Sequence, residues 1–126
     1  MIYLLDVSTL LAWLWENHEH HRRVMVWQHG KLLATCPITE LGFLRISTQP
    51  AFGATVAQAR NLLAAWQRTA KPKHINCDLP VLRSKAPPGT SQTTDFYLAS
   101  LAEKHQMKWA TLDANCRHPA AFVLSP

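Results

Sequence analysis

Acids are scarce in this chain. Only 8 Asp and Glu stand against 13 Lys and Arg, a formal net charge of +5 over 126 residues. No apolar run approaches the roughly 18 residues a membrane span needs, and a hydrophobic content of 48% excludes a disordered tail. Met1 is followed at once by Ile2 to Leu5 and Asp6, without the basic stretch and small-residue cleavage site of a signal peptide, so a cytoplasmic protein is expected. Cys36, Cys77 and Cys116 are odd in number and far apart, which speaks against a zinc site or disulfide framework and for ordinary reduced thiols. There is no internal repeat and no low-complexity tract. These absences leave a single domain over residues 1–126. Its basic balance suits a polyanionic partner such as nucleic acid.

Hydrophobic patterning predicts strands that alternate with helices. Ile2 to Leu5 is a short continuous apolar run ending at an acid, as in a strand buried on both faces. Ser8 is placed to cap a helix carrying Leu10, Leu11, Leu14 and Trp15, and Asn17 to cap a second with Val24, Val26 and Trp27 that stops at Gly30. Leu32 to Cys36 reads as a strand and Pro37 as the first turn of the next helix. Thr55 and Gln58 have capping-box spacing before a helix that Lys71-Pro72-Lys73 closes. His74 to Cys77 is the expected third strand, followed by a Pro-rich loop with one helical turn. A further helix runs from Asp95, Met107 to Leu112 is a strand, and Phe122 to Leu124 is an expected edge strand. Such alternation predicts βαβ units, hence a three-layer α/β/α sandwich around a parallel sheet.

Ligands of such sheets bind beyond the carboxyl ends of the strands, and four of the eight acids map there. Asp6 follows the first strand, Glu40 lies in the first turn after the second, Asp95 opens the helix before the fourth, and Asp113 follows the fourth. Two carboxylates ~4 Å apart repel by roughly 4 kcal/mol at an effective dielectric near 20. A divalent cation offsets that repulsion, and all-oxygen ligation selects hard Mg²⁺ or Mn²⁺. A metal-dependent phosphodiesterase acting on nucleic acid accounts for both the local acids and the basic remainder. Any single acid at these places also serves as a helix cap or dipole partner.

The stretches Leu4-Leu5-Asp6-Val7-Ser8, Thr39-Glu40-Leu41-Gly42-Phe43-Leu44-Arg45, Thr94-Asp95-Phe96-Tyr97-Leu98-Ala99 and Ala110-Thr111-Leu112-Asp113 resemble the PIN-domain ribonucleases, most closely the VapC-type toxins of bacterial toxin–antitoxin pairs. The resemblance runs from residue 1 to about 113. It implies that Asp6, Glu40, Asp95 and Asp113 are the catalytic, metal-holding set for Mg²⁺ or Mn²⁺, with Ser8 and Thr94 as polar supports. It further implies an endoribonuclease leaving 5′-phosphate and 3′-hydroxyl ends, a structured substrate such as transfer or ribosomal RNA, neutralisation by a cognate VapB-type antitoxin, and a homodimer. Ser8 stands where many relatives have Asn, a shorter reach for the same hydrogen bond.

Arg45 lies about one helical turn from Glu40 and is placed to pair with an acid or a substrate phosphate. His18, His20 and His21 read as a solvated helix start, since only His18 and His21 share a face. Arg22, Arg23, Lys31, Lys71, Lys73, Arg83 and Lys85 are candidate phosphate contacts or plain solubilising charge. Trp13, Trp15, Trp27 and Trp66 suit core packing or a protein interface, and the first three mark candidate parts of an antitoxin groove. Trp109 is expected in the core. Two rivals remain open: a haloacid-dehalogenase-type phosphatase, which wants a second Asp where Ser8 stands, and a non-catalytic RNA- or protein-binding module on the same fold.

Overall fold

The N-terminal apolar run becomes the middle of the sheet. A computed structural model of the chain describes residues 1–125, so Pro126, the end of the expected domain, lies outside the described residues. Five strands, β1 (Ile2–Leu5), β2 (Leu32–Thr35), β3 (Lys73–His74), β4 (Lys108–Thr111) and β5 (Ala121–Val123), form one sheet in the order β3-β2-β1-β4-β5. Every neighbouring pair is parallel, with Leu4 opposite both Ala34 and Trp109.

Alternation along the strands separates two cores. Leu4 and Trp109 point into one with Phe96, Leu98 and Leu101 of α5 (Thr93–Lys104). Leu5 and Ala110 point into the other. That second core is covered by α1 (Val7–Leu14), α2 (His21–Gln28), α3 (Pro37–Ser47) and α4 (Val56–Ala70), through Leu10, Val24, Phe43 and Trp66. Both faces of β1 are therefore dry, which explains its unbroken apolar sequence. Three layers result, as the patterning predicts.

Helix ends follow local chemistry. Pro37 occupies the first turn of α3, and the Thr55–Gln58 capping box of α4 closes with bonds of 2.8 and 3.1 Å. Lys71 ends α4 in a left-handed conformation (φ 48°) just before Pro72. The single turn in the Pro-rich loop is the 3₁₀ segment Val81–Arg83, and β5 forms as the expected edge.

Three expectations shift. The cap of α1 is Asp6 rather than Ser8: its carboxylate accepts from the Val7 N–H at 2.7 Å, and the Ser8 hydroxyl donates to Asp6 instead. The second helix starts at His21 rather than after Asn17, because the residues between are taken up by turns in which the His20 N–H donates to His18 Nδ1. The third strand is Lys73–His74, shorter than expected and displaced towards the helix before it. The tryptophans are core residues to differing degrees. Trp109 is fully buried, Trp13 meets Trp66 edge-on at 5.6 Å, and the Trp15 indole donates to Ser47 Oγ at 2.9 Å. Trp27 packs edge-on against Tyr3 at 5.2 Å.

Candidate active site

The order of the sheet turns at β1. From β1 the chain steps outward to β2 and β3, then returns to lay β4 on the other side of β1. The crevice beyond the carboxyl ends of two such strands is where open parallel sheets bind ligands. Asp6 follows β1 there, and Asp113 lies just past β4.

Asp6 is only 4% exposed. One oxygen accepts from the Val7 N–H, and the other from the hydroxyls of Ser8 (2.6 Å) and Thr111 (2.8 Å). Burial raises its pKa above the ordinary carboxylate value, these three bonds oppose the rise, and the charge of Asp113 adds to it. The Thr111 hydroxyl also accepts from the Asp113 N–H at 3.0 Å, so one side chain links the two acids. Asp95 projects from the first turn of α5 and is half-buried. Its pKa is pushed up to about 6, first by burial and then by the charges of Asp6 and Asp113.

Asp6, Ser8, Asp95 and Asp113 line one cavity of about 440 Å³. It shares Asp6, Val7, Ile46 and Asp95 with a neighbouring cavity of about 580 Å³ that also exposes Arg45 and Thr94. Six of the seven residues expected at the site thus surround one continuous cleft. The ion pairs among the described residues lie elsewhere, at Glu19–His20 and around Asp78.

Glu40, the seventh, is not brought to the cleft. Its Oε2 accepts from Thr35 Oγ1 at 3.0 Å and from Gln67 Nε2 at 2.8 Å, and it lines an adjoining groove between α3 and α4 that shares Leu41 with the cleft. The reason is helical phase. Ile38, Leu41, Gly42 and Arg45 line the cleft, and Glu40, roughly 100° from Leu41, is turned roughly 160° from both Ile38 and Gly42 at 3.6 residues per turn.

Two further residues matter that patterning does not single out. Thr111 is one; its partnership with Asp6 depends on β1 and β4 being neighbours. Gly42 is the other, because a Cβ there would stand 2.6 Å from Val7 Cγ2. The close approach of α3 to α1 brings Arg45 and Asp6 to the walls of one cavity, and Thr39 ties the same helix down by donating to the Leu5 carbonyl at 2.8 Å.

The donor set suits a hard cation. All three Asp present oxygen only. A carboxylate has about four lone-pair positions, and Asp6 commits three, which leaves one on Oδ1. Asp113 accepts the Asn115 N–H through Oδ1 alone, while Asp95 accepts no hydrogen bond among the described residues. Among those residues no three of His, Cys, Asp and Glu stand close enough to enclose one ion. The fit is therefore to an ion held by one or two carboxylates and several waters, the habit of Mg²⁺. The His18 cluster offers no alternative, since His18 and His21 each have a ring nitrogen bonded to backbone.

A five-stranded parallel sheet between two helical layers, with carboxylates at its switch point, defines a PIN-like α/β/α domain. Solved structures share that fold. VapBC2 from Rickettsia felis, bound to a DNA fragment from its promoter, superposes with a TM-score of 0.64 at 12% identity, covering 98% of this chain and 97% of the other. FitAcB from Neisseria gonorrhoeae gives a TM-score of 0.64 at 19% identity, with 99% and 97% covered. No family model matches the chain. Ribonuclease VapC38 of Mycobacterium tuberculosis (strain ATCC 25618 / H37Rv) is 36% identical over 121 residues, covering 88% of this chain and 84% of that one. Ribonuclease VapC44 of the same strain is 36% identical over 120 residues, covering 87% and 84%. The chain belongs to the VapC ribonuclease family.

No helix among the described residues is long and apolar enough to cross a membrane.

Proposed function

We propose that this chain is a Mg²⁺- or Mn²⁺-dependent endoribonuclease toxin, cleaving structured RNA such as transfer or ribosomal RNA in the cytoplasm. The observation that carries the reading is the group of three carboxylates, paired with no cationic side chain among the described residues, at the switch point of an otherwise basic chain. Its relatives named as ribonucleases support the same chemistry.

Asp6, Asp95 and Asp113 would hold the ion, directly or through water. When bound, it supplies a lowered pKa for a water nucleophile and polarises the phosphate. Ser8 and Thr111 fix the Asp6 carboxylate, so its remaining lone pair has one direction. Asp95, whose pKa burial and the charges of Asp6 and Asp113 push up to about 6, carries the repulsion that a bound cation would offset. Arg45, in the same cleft, meets a substrate phosphate oxygen. Glu40, held by Thr35 and Gln67, acts by keeping α3 and α4 in register rather than as a ligand.

A VapB-type antitoxin is the proposed silencing partner, and a homodimer the proposed state. Trp27 lines an outer cavity of about 440 Å³ with Arg22, Arg23 and Val26 and is a candidate antitoxin contact. Trp13 and Trp15 are packed inward, onto Trp66 and Phe43. The experiment is incubation with total RNA in Mn²⁺ or in chelator. Cleavage should need the metal and fall at least about 100-fold in Asp95→Asn. Undiminished cleavage by that variant refutes the mechanism.

A further inference from the structure

Beside the carboxylate cleft lies a second cavity of about 380 Å³ that the proposed chemistry leaves unused. Ile38 and Thr94 line both, so the two adjoin. Its walls are apolar: Leu82 and Pro87 from the Pro-rich loop, and Tyr97 from α5. The Tyr97 ring is fixed, because its hydroxyl donates to the Leu79 carbonyl at 2.8 Å. Leu82 is 99% exposed and stands beside exposed Val81, so the two offer apolar surface at the mouth of the cavity.

Two of the hydroxyls at this cavity, those of Ser84 and Thr93, are committed as donors within the protein. The Ser84 hydroxyl donates to the Val81 carbonyl and the Thr93 hydroxyl to the Thr90 carbonyl. Each hydroxyl has one proton, so both turn only acceptor lone pairs towards a ligand. Charge is arranged to match. Leu82, Ser84 and Ala86 line the cavity, while the intervening Arg83 and Lys85 are exposed at its border. Apolar faces, acceptor edges and flanking cations together fit a base attached to a phosphate chain better than a protein surface.

We propose that this cavity receives an unpaired, amino-bearing nucleobase one nucleotide from the phosphate at Asp6 and Asp95. The proposal rests on the ribonuclease reading for its substrate class. The base stacks between the Leu82 and Pro87 side and Tyr97, its amino group donates to Ser84 or Thr93, and Arg83 or Lys85 meets the next phosphate. Specificity then comes from the loop at residues 81–87, outside the residues that do the chemistry.

The test uses the full chain and short single-stranded RNAs carrying 2-aminopurine at one position in turn. Fluorescence should be quenched at a single position. Leu82→Ser should weaken that binding about tenfold, leave affinity for the same RNA abasic at that position unchanged, and favour cytosine over uracil less than wild type does. Equal loss on the abasic RNA, or no quenching at any position, overturns the proposal. So does sedimentation showing a dimer that Leu82→Ser dissociates, which would assign the surface to a second copy of the chain. Cleavage of the same RNAs is followed in Mn²⁺. Quenching by a protein that leaves total RNA intact in Mn²⁺ sinks the ribonuclease reading and keeps the base site, whereas cleavage of the short RNAs without quenching sinks the base site alone.

Discussion

Gly42 sits in the interior of α3, where helix propensity alone favours alanine by about 1 kcal/mol. Packing opposes this. A Cβ at position 42 would lie 2.6 Å from Val7 Cγ2, 3.1 Å from Cγ1 and 3.4 Å from Cβ of the same side chain. Valine in a helix has essentially one χ1 well, so neither methyl can swing aside cheaply, and α1 itself must shift. Overpacking of this kind costs ~1–3 kcal/mol. Gly42→Ala should therefore destabilise the protein by about 1 kcal/mol net, or about 4 °C in Tm for a domain of this size. Urea unfolding of wild type, Gly42→Ala, Val7→Ala and the double variant closes a cycle. The double variant should be more stable than the sum of the singles by about 2 kcal/mol. Because Val7 adjoins Asp6, Gly42→Ala should also weaken Mn²⁺ binding, and the double variant should restore it. A Gly42→Ala protein more stable than wild type by the full propensity gain would refute the close-packing account.

Thr111→Val keeps the shape but leaves the buried Asp6 without one donor and the Asp113 N–H without its acceptor. It should lower stability by ~1–3 kcal/mol in urea and reduce Mn²⁺ affinity, while Thr111→Ser retains both. His118 is buried, which holds its pKa below the ordinary histidine value. Its Nδ1 accepts the Ala120 N–H at 3.0 Å, so the neutral ring's proton sits on Nε2 facing Ser100. The unfolded chain therefore takes up this proton first as pH falls. The contribution to stability is complete above about pH 6.5 and is lost below it, through the lowered native pKa. Thermal unfolding from pH 7.5 to 5 should show a slope that flattens in His118→Gln, and an unchanged slope would contradict it.

Much of the fold is legible in the sequence because the signals are local. The run Ile2–Leu5, Pro37, the Thr55–Gln58 box and Lys71-Pro72 each act on their own neighbours, and the elements follow. Three of the four expected acids meet for a related reason: the end of a parallel strand is a fixed place, and Asp6 and Asp113 occupy it directly. What depends on relations between elements is less visible. Thr111 looks like any strand threonine until β4 is known to lie beside β1. Glu40 looks equivalent to the aspartates until the rotation of α3 is known, and that is set by the Gly42–Val7 contact and the Thr39–Leu5 bond. Ser8 has the chemistry of a cap, yet Asp6 is two residues nearer the strand and takes the role.

The bond between Thr111 and Asp6 joins positions 105 residues apart, almost the whole length of the chain. β1 is synthesised before α1 to α5 and its partner strand β4 only after them, so the Asp6 carboxylate has no Thr111 or Asp113 beside it in the interval. A fragment that stops before residue 108 holds three of the four acids, Asp6, Glu40 and Asp95, but lacks Thr111 and Asp113 and cannot build the cleft. The order of the sheet thus makes the site the product of one late pairing: until β4 lies beside β1, Asp6 has neither the Thr111 hydroxyl nor Asp113 for a neighbour.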